Sequence, residues 1–118
     1  MGWRRLGRGE WRAFCDRLSK SLRDETADLE VVSLALGDHV EAHWLPLYGI
    51  TYDARADTLE IVLEGVDHRI AQPCDIVVEE TPRGVVSIEI TTADARQETL
   101  KLRKPVPLPD AEPSAEML

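Results

Sequence analysis

The sequence predicts an α+β fold: an N-terminal amphipathic helix packed on a twisted, mainly antiparallel sheet of about six short strands, curling toward a partly closed barrel. Three observations predict it. Between His39 and Gly65, two apolar patterns of period two flank a polar turn, Asp53-Ala54-Arg55-Ala56-Asp57, as in a β-hairpin. Trp11, Phe14, Cys15, Leu18 and Leu22 recur at helical spacing. After Gly65 the chain runs through further short apolar segments separated by tight reversals.

Each element follows from local chemistry. Residues 1–9 hold three glycines and three arginines and predict a flexible lead-in. A helix of about 12–15 residues begins near Glu10, with Arg12, Asp16, Lys20 and Arg23 on its solvent side. Glu10 suits the positive end of its dipole, and Lys20 and Arg23 suit the negative end. A strand follows over 29–36, then a two-residue turn at Gly37-Asp38 and a strand over 39–45 with Val40, Ala42 and Trp44 facing inward. Pro46 lacks a ladder donor, so it ends that strand, bends it or marks an edge. Leu59, Ile61 and Leu63 form the buried face of the next strand. Asp67 is placed to cap a single helical turn that Pro73 stops. Strands are expected at 75–80, 85–91 and 97–103. The single domain therefore spans 10–104, and 105–118, with four prolines, reads as an extended, disordered tail.

The chain has 118 residues, with 43% hydrophobic and 31% charged residues, the composition of an ordinary globular domain. No apolar run is long enough to cross a bilayer, and no apolar segment follows Arg4-Arg5 as a secretory signal requires. Cys15 and Cys74 lack metal-site or redox spacing and read as free thiols of a cytoplasmic protein. Residues 1–23 carry seven Lys or Arg against Glu10 and Asp16, a net +5, which leaves −13 for the remainder of the −8 total. An acidic sheet region repels phosphates, so neither nucleic acid nor a membrane is expected as partner. A protein partner or a second copy is.

Candidate chemistry is sparse. His39, Glu41 and His43 alternate along one strand, but at ~3.3 Å rise per residue the imidazoles stand about 13 Å apart, too far for one ion. No metal or other cofactor is expected. Asp67-His68 with Cys74 suggests a thiol–imidazole site, yet no glycine-rich nucleophile turn accompanies it. Glu60 and Glu64 read as solvent-facing. Trp44 is expected in the core and Tyr48, between Pro46 and Gly49, on the surface.

The runs Gly9-Glu10-Trp11, Asp16-Arg17-Leu18-Ser19, Ser33 to Ala42, Trp44-Leu45-Pro46-Leu47, Gly49 to Asp53 and Leu63 to Ile70 resemble a group of small bacterial proteins known as a domain of unknown function. The resemblance extends from about Arg4 to Pro109. It implies a shared pattern of Asp38, Glu41, Trp44, Gly65, Asp67 and His68, and no activity. The function expected is a non-enzymatic protein-interaction or accessory domain, able to self-associate through a sheet edge or the Trp44/Tyr48 surface. The alternative is a small-ligand binder or enzyme with a polar site around Asp38, His43, Asp67 and His68.

Overall fold

A computed structural model describes residues 2–35 and 37–108. Its strands are β1 (Gly2–Arg5), β2 (Thr26–Ser33), β3 (Gly37–Asp53), β4 (Thr58–Leu63), β5 (Val66–Ala71), β6 (Pro73–Thr81), β7 (Gly84–Thr92) and β8 (Gln97–Val106). One helix, α1 (Trp11–Ser21), follows a 3-10 turn at Arg8–Glu10. The strands form one antiparallel sheet of eight in the order β1-β6-β7-β8-β2-β3-β4-β5. The six strands expected become eight, and the expected barrel is an open sheet with β1 and β5 at its two ends. Strands β5 and β6 follow one another in the chain without pairing, because Gln72, at φ 54°, turns the backbone sharply between them.

The helix is eleven residues long and buries Trp11, Phe14, Cys15 and Leu18, while Arg12, Ala13 and Asp16 stay exposed. It packs on β3. Trp11 meets Tyr52 edge to face, with centroids 5.2 Å apart, a favoured arrangement for aromatic quadrupoles. Leu59, Ile61 and Leu63 are buried beneath it in the same core as Ile50, Ile70, Ile88, Ile90 and Leu100.

Strand β3 carries the largest departure from expectation. It runs unbroken through Pro46, pairing with β2 over its first part and with β4 from Leu47 onward. Pro46 bends the strand rather than ending it. The bend begins at Trp44, whose φ is 50° and whose N–H donates to Asp28 Oδ1 at 2.7 Å. A shift in the β2–β3 register beside Ala42 breaks the alternation. Of the three residues expected inward, only Ala42 is buried; Val40 is exposed and Trp44 is half-buried. The expected Gly37-Asp38 turn is the start of β3, with Gly37 opposite Ser33 and Asp38 opposite Val32.

Two other expectations are corrected. Residues 66–71 form strand β5 rather than a capped helical turn, because Gly65 at φ 74° allows a two-residue reversal that returns the chain along β4. Within the lead-in of residues 1–9, Gly2–Arg5 is a strand paired with β6, anchored by Arg4 to Glu80 and Arg5 to Asp75. At the other end β8 extends through Val106, into the expected tail; residues 109–118 lie outside the described residues.

Candidate functional site

Alternation along β2 sends Leu29 and Val31 into the core and leaves Asp28, Glu30 and Val32 on the face that α1 does not cover. Thr99 and Lys101 of β8 lie beside them. Asp28, Leu29, Glu30, Thr99 and Lys101, with Val40 and His43, line a shallow depression of about 230 Å³. His43 Nδ1 is 3.1 Å from Asp28 Oδ1, the oxygen that also accepts the Trp44 N–H. The Glu30 carboxyl hydrogen-bonds that of Asp38, and this contact, with the repulsion between the two charges, raises the Glu30 pKa. Across the Trp44 ring lies the Arg103 guanidinium, 5.3 Å from its centroid. Tyr48, past the bend, is exposed and donates to Glu64 at 3.3 Å.

On β5, Asp67 and His68 point to opposite faces. Asp67 is exposed against the Glu60 carboxyl, and their hydrogen bond is the main cause of a raised Glu60 pKa. His68 points inward to Glu98, 2.6 Å away and fully buried. Among the described residues the second Glu98 oxygen, Oε2, has no hydrogen-bond partner, and the Arg96 guanidinium lies 3.8 Å from it. A carboxylate in the core is tolerable only with hydrogen-bonding or cationic neighbours of this kind.

The structure thus brings Asp38, His43 and Trp44 to one region and leaves Tyr48, Asp67 and His68 elsewhere. The four side chains of the expected polar site each meet a different acidic partner: Glu30, Asp28, Glu60 and Glu98 respectively. His39 turns to Glu41 at 3.1 Å, while His43 turns to Asp28. Among the described residues no group of three His, Cys, Asp or Glu could hold a metal ion. His68 is engaged with Glu98, and Cys74 is exposed and free. Cys15 is free and buried, and burial pushes its thiol up to about 12. Among the described residues no helix is long and apolar enough to cross a membrane.

One cluster had no local signal in the sequence. Arg8 donates to Tyr52 Oη at 3.2 Å, to Asp57 at 3.3 Å and to the Pro73 carbonyl at 3.1 Å, and stacks 4.3 Å over Trp11. Tyr52 in turn donates to Asp57 at 2.6 Å. This knot ties the start of the chain to the β3–β4 turn and to the entry of β6. Its partners are far apart in sequence, so no spacing could reveal it.

Fold and surface define a class: a small open-sheet domain with one covering helix and mutually paired polar groups. Over residues 3–111 the chain matches a family of unknown function, DUF5335, and it belongs to that family. It is similar to an uncharacterized protein of Aquifex aeolicus (strain VF5), 34% identical over 111 residues that cover 93% of this chain and 100% of that protein. No solved structure matches the chain.

Proposed function

We propose that this protein is a non-enzymatic interaction domain that engages another polypeptide through its open sheet. The observation that carries this reading is the strand order itself. Among the described residues it leaves β1 and β5 each with one side unpaired, and such rows of free backbone N–H and C=O groups are templates for an added strand. Exposed apolar side chains favour the same reading: Trp3 stands on β1, and Val32, Leu34 and Val40 cluster on the β2–β3 hairpin, with Leu34 fully exposed at its tip. The accessory role is to hold a partner chain, and cytoplasmic placement accords with two unbridged cysteines.

Amide hydrogen exchange tests it, read by NMR on labelled protein in dilute buffer and in an extract of the producing cell. Slower exchange at 2–5 or 66–71 in the extract is the expected result. Equal exchange at both edges in the two solutions would remove the reading.

A further inference from the structure

Strand β5 ends the sheet with a pattern that fits itself. It follows β4 through the two-residue reversal Glu64-Gly65, so Leu63 and Val66 form a hydrogen-bonded pair. Alternation then directs the backbone groups of Val66, His68 and Ile70 to β4, and those of Asp67, Arg69 and Ala71 away from the sheet. These last three residues are exposed. Asp67 and Arg69 also share one face, with opposite charges two residues apart.

We propose that a second copy of this chain adds to this edge, its β5 antiparallel to the first about a two-fold axis at His68, joining two eight-stranded sheets into one. In this register Asp67 stands opposite Arg69 of the partner subunit, and Arg69 opposite the partner's Asp67. Both are hydrogen-bonded positions, because both residues direct their backbone groups outward. A register centred on Asp67 or on Arg69 sets like charge against like, which is unfavourable across strands. Isologous pairing about one axis closes at two copies.

Three further observations favour this occupant over others. The Asp67 carboxyl already faces Glu60 within its own chain, and their hydrogen bond first, then burial and their mutual repulsion, raise the Glu60 pKa. The Arg69 guanidinium of the partner subunit would add a positive charge beside that pair. His68 is held from within by Glu98, which fixes the strand that must accept the copy. The opposite edge is less suited, since β1 is four residues long and self-pairing would bring Arg4 and Arg5 beside their counterparts.

This inference rests on the interaction reading above and narrows it to self-association. Sedimentation velocity of the full chain from micromolar to millimolar concentration is the test. The native chain is expected to form a weak, concentration-dependent dimer. Asp67→Arg alone and Arg69→Asp alone should each weaken dimerisation at least about tenfold, because each sets two like-charge pairs across the axis. Mixing the two single variants should restore a dimer, as should combining both substitutions in one chain. Circular dichroism melts confirm that each variant is folded, and recovery on mixing cannot come from an unfolded chain. A native chain that stays monomeric at millimolar concentration overturns the proposal, as do single variants that fail to recombine. A dimer indifferent to these charges also overturns it and moves the contact off β5. That last result leaves the interaction reading standing, which only the exchange experiment removes.

Discussion

Ser19 of α1 supplies Ile50 of β3 with both hydrogen bonds that a neighbouring strand would provide. Its Oγ donates to the Ile50 carbonyl at 2.7 Å and accepts the Ile50 N–H at 2.9 Å. Past the bend, β3 has β4 on one side and, among the described residues, no strand on the other. The helix therefore covers that stretch of edge with a side chain standing in for a backbone.

Ser19→Ala is expected to leave both Ile50 groups without partners in a half-buried position. Stability should fall by about 1–3 kcal/mol, read from urea denaturation midpoints. Ser19→Thr, which keeps the hydroxyl, should lose less. Equal stability of the native chain and the alanine variant would show that water replaces the serine fully.

Gly84→Ala should be more damaging than its place at the very start of β7 suggests. Gly84 has φ 138°, and an added Cβ would fall on the backbone of Val106 and within 2.5 Å of Pro107 N. Neither can move without shifting the end of β8. A loss of about 3 kcal/mol is expected in thermal or urea melts, whereas Gly9→Ala, with open space around it, should be nearly neutral.

The dependence of stability on pH should have two opposed parts. The Glu30 pKa is raised in the folded state by Asp38, so the fold holds that proton more tightly than the unfolded chain does. Its stabilising share is complete at low pH and is lost as pH rises through the raised value. Glu30→Gln should therefore raise the melting temperature at pH 7, with the gain shrinking on acidification. Asp75 runs the other way: its bond from Arg5 lowers its pKa, so that contribution is present at neutral pH and lost as pH falls through the lowered value. Melting temperatures of the native chain, Glu30→Gln and Asp75→Asn across the acid range separate the two.

Removing His68 should strand a buried charge. Glu98 would keep only the Arg96 guanidinium, 3.8 Å from one oxygen, so His68→Ala is expected to cost about 3 kcal/mol. The double change His68→Leu with Glu98→Met should be milder than either alone, since it removes the buried charge along with its partner. Urea denaturation of the four proteins forms the cycle, and additive losses would argue against the contact.

The two thiols should differ sharply in reactivity. Cys74 is exposed, and Cys15 is buried with its thiol held well above the usual range. One thiol is expected to react with a colorimetric disulfide reagent in the native protein and two in denaturant. Fast reaction of both in the folded state would mean that α1 opens readily.

The sequence spoke most clearly where one strand alternated by itself. Leu59, Ile61 and Leu63 announced β4, and Trp11, Phe14 and Leu18 announced the buried side of α1, because in each the pattern is complete within the element. Strand β5 was hidden because the middle one of its three inward positions is His68, a polar residue whose partner Glu98 comes thirty positions later. Strand β1 was hidden because Arg4 and Arg5 are ordered by Glu80 and Asp75, contacts that composition cannot foretell. Pro46 carried a true signal of deviation, but Asp28, which converts the break into a bend, lies on another strand. The site residues fared likewise. Asp38, His43, Asp67 and His68 were visible as polar residues in extended segments, and only the register assigned each its own acidic neighbour.

The pairing of Gly2 with Glu80 has a consequence for the order in which the polypeptide can mature. During synthesis the residues of β1 leave the ribosome long before those of β6 that receive them, so they must wait, solvated, while about seventy later residues are made. Contacts this remote in sequence close slowly. Strand β1 is thus expected to be among the last to dock, and a bulky fusion placed directly ahead of it should retard that final step more than the assembly of β2, β3 and β4.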